Sequence, residues 1–522
     1  MIQLEIDESK LNDSDYVLRL VNGIILQKLI EGVDIKYKKA FDFYDGKEPT
    51  TSFEDSEYEG KVINLTKPIV DIATKTFIGE IPDIVTSGKK PEKDKISVLN
   101  QKLYNRQYHS HIYETLHYSS KCGTGFIALY NLIGDTFPRF RELNPRFTEC
   151  VYNCSLDRKH LLSYYIVQMN EATSPSSLAL SKYVIYVYTK ERIYAFESPT
   201  TYTSQTTQPN ATKDIIIKPY FAWKKGEEDL TYIEHDFGDI PIVEFPNNAE
   251  YQGDAECVFD LIALYNQVTN NRCKNLYDIV NYVLMIKNVR LGDEEETKKV
   301  ITLLKENHVL PVEGDNVDAK FLTNPIDQAQ LQKLADNLKD LIHLISRVPD
   351  LSGVDFSQNA SDPVIKIKTK PLLDLCNDKE KQCDEPYMRV LRMVLHWCKK
   401  YSKDYGEFDV DLDKTRLEYT HTLPSNDTDM ALAIATLQNS NMANPEVLLQ
   451  NLTFVKNVHE YIKGMDKWNK DVVDLQKEKG KNNNGINETN LDRQNAKIND
   501  KNSMDNEKNF IEGISQNIKK WY

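Results

Sequence analysis

The sequence predicts an α+β fold in which long helices carry a β-rich module, and three observations point there. Leu331, Leu334, Leu338, Leu341, Ile345 and Val348 recur at three- and four-residue spacing, which draws one apolar stripe along a helix. Tyr387, Leu391, Val394, Cys398 and Tyr401 repeat that spacing on a second helix. Between residues 125 and 245 the period changes to short runs rich in Tyr, Ile and Val, separated by polar or Pro-containing turns, with no alternation of β and α units. A polar loop, residues 349–363, lies between the two long helical patterns. It contains Gly353, several Ser and Asn residues and one aromatic, Phe356.

Taken in order, residues 14–43 read as helical, with Tyr16, Leu20 and Ile24 on a recurring face, and an acidic, turn-rich stretch follows at 44–59. In 61–82, Pro68 suits a first helical turn, where its missing N–H would be unpaired anyway, and Gly79 and Pro82 suit a helix end. A further helical pattern runs through Leu99, Leu103, Tyr108, Ile112 and Leu116. The runs FIALYNLI, LLSYYIVQM, YVIYVYT, RIYAFES, DIIIKPYFAW and DLTYIEHDF predict an antiparallel wing or sandwich, and the Thr/Gln/Ser-rich stretch 200–212 a long loop. A helix resumes over 254–279. A small α/β insert follows, with strand VLMIKNV, helix EEETKKVITLLKEN, strand HVLPV and edge AKFLTN. Asn324-Pro325 opens the next helix. At about 1.5 Å per residue it would reach roughly 36 Å, the length of a structural column.

Pro371 and Pro386 predict a bent or broken helix from about 371 to 403, since an interior proline removes a hydrogen bond. FDVDLD and RLEYTHT then read as a strand pair, and residues 427–440 and 445–465 as helices. Residues 476–509, dominated by Asn, Lys, Asp and Glu, read as disordered. No internal repeat is visible.

The 522 residues suffice for roughly two to four structural units. The net charge of −14, from 65 basic and 79 acidic side chains, argues against a protein that coats nucleic acid. It is compatible with DNA that must slide past without sticking. The N-terminus lacks a basic region followed by an apolar one, and no apolar run approaches the roughly 20 residues that span a bilayer. Eight scattered cysteines then read as reduced thiols in a cytoplasmic setting.

Catalytic chemistry has little support. Cys150 and Cys154 with His160 invite a zinc site, but a structural zinc takes four ligands, often as two close pairs, and a second close pair is missing. Core or half-buried thiols are the preferred reading, with a metal-dependent hydrolase as the alternative. His109, His111 and His117 lie in a helical pattern that points 109 and 111 to different faces. Asp409, Asp411 and Asp413 alternate along the expected strand, so they share a polar edge rather than form an acid–base pair. No phosphate loop, GxSxG or strand-borne GxGxxG is present; the GTG at 123–125 reads as a turn before a strand. No cofactor, metal or catalytic residue is expected.

Three stretches together resemble the portal, or head-to-tail connector, proteins of tailed bacteriophages, of the siphophage type. NLTKPIVDIATKTFIGEIP (64–82) is similar to the family's N-terminal signature, and FGDIPIVEFPNN (237–248) to its segment before a long helix. The third is the order helix, α/β insert, helix, polar loop, kinked helix over 254–403. The resemblance implies a portal-type protomer with long stem helices, a small α/β clip, a β-rich wing and a helical crown, assembling as a ring.

Carried onto this sequence, 1–253 holds the N-terminal helices and wing, 254–279 a stem helix, 280–324 the clip and 325–348 the second stem helix. Residues 349–363 form the tunnel loop, 364–425 the kinked long helix and wing strands, 426–468 the crown and 469–522 a flexible tail. It further implies a homo-oligomer, typically of twelve, at one capsid vertex of the virion, assembled in the host cytoplasm. Double-stranded DNA would pass through its channel. Partners would be the terminase large subunit, then head-completion or adaptor proteins, with major capsid and scaffold proteins around it and no membrane.

The tunnel-loop residues would be Ser352, Gly353, Val354, Asp355, Phe356, Ser357, Gln358 and Asn359. Phe356 is equally suited to meet DNA or to pack on the neighbouring loop. Lys333 and Lys339 would line the channel or act as solvated helix charges, and the apolar stripe of their helix serves either neighbour packing or the protomer's own core. A non-portal structural protein of the particle, such as a baseplate or tail component, is the other alternative.

Overall fold

The computed structural model describes residues 2–3, 6–31, 35–47, 60–86, 90–171, 180–198, 217–225, 228–279, 283–287, 298, 318–322, 328–351 and 362–421. All of them fall within the unit Met1–Pro424. The expected loop 200–212, the insert's helix and second strand, the tunnel-loop residues 352–359, the crown and the tail lie outside them.

After the short strand β1 (Ile2–Gln3), the first expected helix is two, α1 (Ser14–Glu31) and α2 (Ile35–Asp45). The next, α3 (Thr66–Ile78), has Pro68 in its first turn and Gly79 at its C-cap, as expected. Strand β2 (Asp83–Thr86) follows. The pattern through Leu99 to Leu116 also divides, into α4 (Lys90–Asn105) and α5 (Tyr108–Cys122), because Gln107 takes a left-handed φ of 56°. Apolar spacing carries through such a break, so periodicity alone does not reveal it.

The β-rich module holds β3 (Thr124–Tyr130), β4 (Arg139–Leu143), β5 (Thr148–Tyr152), β6 (His160–Glu171), β7 (Leu180–Tyr188) and β8 (Arg192–Ser198). Short strands β9 (Lys218–Pro219), β10 (Trp223–Lys225), β11 (Glu228–Leu230) and β12 (Tyr232–Glu234) precede β13 (Ile242–Pro246). A seven-stranded sheet runs β1-β5-β6-β7-β8-β12 with β9 beside β8, and a three-stranded sheet runs β13-β3-β4. All these pairs are antiparallel, as expected, except β1 with β5. Alternate residues such as Tyr164, Ile166, Ile185, Val187, Tyr194 and Phe196 turn inward, where Val17 and Val21 of α1 close a core over the larger sheet.

Helix α6 (Phe259–Ile279) is followed by the paired strands β14 (Val283–Lys287) and β15 (Asp318–Leu322), which are the two ends of the expected insert. Helix α7 (Gln328–Ser346) precedes the loop, and α8 (Asp362–Tyr401) follows it. Helix α8 begins at Asp362, so Pro363 sits in its first turn, where it lacks nothing. The expected break at Pro371 or Pro386 does not occur: all 40 residues are helical through both prolines.

Tyr387, Leu391, Val394 and Cys398 of α8 are buried against α4, α5 and β3, in the largest core, and Tyr401 lies at its edge. A second core joins α2, α3 and the start of α6 to Ile342, Val348 and Leu372.

The expected strand pair after α8 is wrong. FDVDLD is not a strand; a 3-10 turn at Tyr405–Glu407 precedes it, another at Leu412–Lys414 takes in its end, and the Asp411 side chain accepts the Asp413 N–H. A carboxylate that can bond the backbone two residues on competes with extended pairing. The second expected strand, β16 (Thr415–Glu418), pairs instead with the distant β2. Asp409, Asp411 and Asp413 therefore do not share a strand face.

Candidate functional site

The region around the loop is built from α6, α7 and α8. Arg272 hydrogen-bonds Gln332, while Ile262 and Ile342 share a core, so α6 and α7 run antiparallel. Two asparagines one turn apart on α6 dock an extended segment: Asn266 Oδ1 accepts the Ile63 N–H at 2.8 Å, and Asn270 both accepts from and donates to the Lys61 backbone at 2.9 Å. Asn64, the first residue of the 64–82 motif, donates to the Tyr44 carbonyl and accepts the Lys67 N–H at the start of α3. The motif thus fixes where α3 begins beside α2 and α6.

The apolar stripe of α7 divides between two environments. Ala335, Leu338 and Ile342 are buried, and Val348 just beyond the helix is buried too. Leu334, Leu341, Leu344 and Ile345 stay exposed, with Leu344 at 71%. At the start of α8, Val364 and Ile367 are exposed as well. Six large aliphatic side chains thus stand uncovered on the two helices that flank the loop. Water around such a surface is a free-energy cost of about 25 cal/mol per Å², and surfaces of this kind mark contacts with other chains.

The descent from α7 to the loop is pinned. Arg347 takes a left-handed φ of 61°, and its guanidinium reaches Asp378 of α8 at 3.2 Å. His343 Nδ1 donates to the Val348 carbonyl at 2.9 Å. Lys339, expected as a channel charge, is bound to Asp350 at 2.5 Å, and that hydrogen bond raises its pKa above the usual lysine value. Lys333 is exposed on the same helix.

A buried network that the sequence reading missed ties this region together. Lys379 of α8 and Asp254 meet at 2.5 Å with side chains 3% and 0% exposed. Lys379 also donates to Ser120 Oγ of α5 at 2.7 Å, and Asn247 Nδ2 donates to the other Asp254 oxygen at 2.8 Å. The backbone closes the joint: Asn247 N–H donates to Gly123 O, and Asp254 N–H to Ser120 O. A Cβ on Gly123, which has φ +90°, would lie 2.0 Å from the Tyr251 carbonyl. One on Gly125 would lie 1.9 Å from Thr115 O. The GTG stretch is therefore the C-cap and close-approach point of α5, in keeping with its reading as a turn before a strand. The signal for the network was legible: Lys379 stands in the apolar register Leu372, Cys376, Cys383, Tyr387.

Cys150, Cys154 and His160 do not gather as metal ligands. Cys150 is buried with Sγ 3.1 Å from Ser163 Oγ, and burial pushes its pKa up. His160 Nε2 donates to that hydroxyl at 2.7 Å, while its Nδ1 accepts from Arg389 at 2.7 Å. Cys154 is exposed in the following loop. A guanidinium occupies the position where a cation would approach the ring. Desolvation, then the Arg389 charge, lower the His160 pKa to about 3. Among the described residues, no group of three His, Cys, Asp or Glu is placed to hold a metal, and no helix is long and apolar enough to cross a membrane. His111 meets Glu142, and His117 meets Asp71 at 3.3 Å, so the histidines of α5 serve separate contacts.

With this architecture in view, the comparison with known proteins is specific. The family described as "Phage portal protein, SPP1 Gp6-like" matches residues 34–484. The portal protein of Bacillus phage SPP1 is 24% identical over 314 residues, which covers 59% of this chain and 56% of that protein. The chain thus aligns with just over half the length of this relative. A match over 34–484 takes in the docking motif at 64–82, the β-rich module, α6 to α8 and the loop between them: the chain belongs to the SPP1 Gp6-like family of phage portal proteins.

Proposed function

We propose that this chain is the protomer of a portal ring, typically twelve copies, that forms the channel for double-stranded DNA at one capsid vertex of the virion. The observation that carries the proposal is the uncovered apolar face of α7 and the start of α8, on both sides of the loop. Family membership supports reading α6 and α7 as stem helices, β14 and β15 as the base of the clip, residues 349–361 as the tunnel loop and 426–468 as the crown. Leu334, Leu341, Leu344, Ile345, Val364 and Ile367 then meet the next copy. The loop residues Ser352 to Asn359 form a collar around passing DNA. Lys333 faces phosphate in the channel, while Lys339 is held by Asp350 and contributes less charge.

Twelve copies of a chain with net charge −14 make a strongly acidic conduit, which repels phosphate rather than gripping it. The terminase large subunit docks during packaging and adaptor proteins follow it. Capsid and scaffold proteins surround the ring, which assembles in the host cytoplasm. The protein has no catalytic step of its own in this role.

Electron-microscope class averages of the purified protein test this. Wild type should show closed rings with a central hole, and the variant Leu344→Asp/Ile345→Asp should give folded monomers. A wild type that stays monomeric under all assembly conditions overturns the reading.

A further inference from the structure

The buried contact between α8 and the segment entering α6 brings an amine against a carboxyl group in a dry interior. Lys379 Nζ lies 2.5 Å from Asp254 Oδ2, and the two side chains are 3% and 0% exposed. An amine that close to one carboxylate oxygen stands roughly 3–3.5 Å from the carboxyl carbon, the separation of a near-attack arrangement. Both ends are held. Ser120 Oγ accepts an Nζ proton at 2.7 Å, and Asn247 Nδ2 donates to Asp254 Oδ1 at 2.8 Å. Asn247 is anchored in turn, because its Nδ2 also donates to the Gln252 carbonyl and its N–H to Gly123 O. Ser120 and Asn247 are themselves buried. The Phe77 ring centroid is 5.8 Å from Nζ, and Cys376 and Leu372, one and two turns earlier on α8, are buried beside it.

Hydration keeps an ammonium and a carboxylate ionised at a protein surface. Burial removes that hydration from both charges and penalises the ionised pair relative to an uncharged product. An amide between the two side chains carries no charge, and its formation releases a water molecule to bulk solvent.

We propose that Lys379 and Asp254 condense after folding to an isopeptide bond, a covalent modification that the chain carries out on itself. A proton passes from Nζ to Oδ2, leaving a neutral amine beside a neutral carboxylic acid. The Nζ lone pair attacks Cγ, and the carbonyl electron pair moves onto Oδ1, where the Asn247 amide N–H stabilises the developing negative charge. A second Nζ proton reaches Oδ2 as the Cγ–Oδ2 bond breaks with its electron pair. Oδ2 departs as water, the carbonyl re-forms and one proton stays on the amide nitrogen. Nothing is oxidised or reduced, the net charge of the chain is unchanged, and no co-reactant is needed. Ser120 orients the amine throughout.

The bond closes a covalent loop through α6, β14, β15, α7 and the first half of α8. A closed loop of this kind restricts the unfolded chain and keeps these elements together when the ends of the chain are pulled. The reaction needs only the folded protomer, so it stands or falls apart from the ring reading.

Mass spectrometry of the full chain tests this, on protein held folded for several days below its melting temperature. Denatured wild type should be lighter than its sequence by one water, and its tryptic digest should contain a branched peptide joining Asp254 to Lys379. Lys379→Arg keeps the charge, removes the nucleophile and should retain the full sequence mass. Asn247→Ala should slow the loss of water by at least about tenfold, since it lacks the donor at Oδ1. Wild type that is folded by circular dichroism, yet yields only linear peptides carrying Asp254 and Lys379, overturns the proposal. So does a loss of water that persists in Lys379→Arg, because it then arises elsewhere in the chain.

Discussion

Removing Lys379 is the sharpest test of how α8 is held to the start of α6. The Lys379–Asp254 pair is fully buried, and each charge has one further hydrogen-bond partner, Ser120 Oγ for the lysine and Asn247 Nδ2 for the aspartate. Lys379→Met leaves Asp254 Oδ2 in the interior without its cation. Breaking a buried pair in this way costs about 3–5 kcal/mol, far more than the pair contributes relative to apolar replacements. Asp254→Asn leaves an unpaired ammonium and should cost a similar amount. The double variant Lys379→Met/Asp254→Asn keeps an acceptor for Asn247 and buries no charge. It should recover at least about 2 kcal/mol relative to the sum of the singles, a strong coupling for a contacting pair. Urea unfolding followed by tryptophan fluorescence reads this, since Trp397 is buried in the core that α8 completes. If Lys379→Met costs less than about 1 kcal/mol, or if the two singles simply add, the network does not hold α8 as described.

Three other perturbations follow from the geometry. The His160 ring resists protonation in the native state, with a pKa of about 3 against 6.5. Unfolding therefore takes up a proton between those values, and stability falls as pH drops through that window, by at most about 5 kcal/mol; the difference in urea midpoint between pH 6.5 and 5 should be smaller in His160→Gln than in wild type. Gly123→Ala places a Cβ against the Tyr251 carbonyl at positive φ and should destabilise by more than about 2 kcal/mol, read as a lowered melting temperature. Deletion of residues 352–359 should leave ring assembly largely intact and reduce DNA packaging in a reconstituted assay; collapse of the ring would make the loop a packing element.

The legible part of this fold was whatever a local period encodes. The antiparallel module, α6, α7 and the buried register of α8 all follow from side-chain spacing. What stayed hidden is non-local or strained. Gln107 breaks one apolar pattern into α4 and α5 through a single left-handed residue. The strand β16 finds its partner about 330 residues away in β2 rather than next door. FDVDLD alternates like a strand, yet its Asp411 carboxylate bonds the backbone two residues on. Helix α8 absorbs two prolines because the rest of its length is anchored by one continuous apolar face. At the site, Asn64 and Asn247 were noticed as letters of a motif. Their physical roles, starting α3 and holding Asp254, needed the partners that only the folded chain supplies.

The two environments of α7 settle what its stripe can be for. A helix whose only task was to complete the protomer would bury its whole apolar face, as α8 does around Leu391 and Val394. Helix α7 buries Ala335, Leu338 and Ile342, which suffices to fix it on α6 and the α2–α3 core. It then carries Leu334, Leu341, Leu344 and Ile345 on the remaining arc, where they are only partly covered within one copy. Arg347, Lys339 and His343 meanwhile tie the end of the helix to α8 and to the residues entering the loop. Any partner that covers the exposed arc therefore meets a surface already fixed relative to Val348 and Asp350, which enter the loop. In a ring, each inter-copy junction then sets where the neighbouring loops stand. On the proposed ring reading, assembly and channel width are coupled through α7.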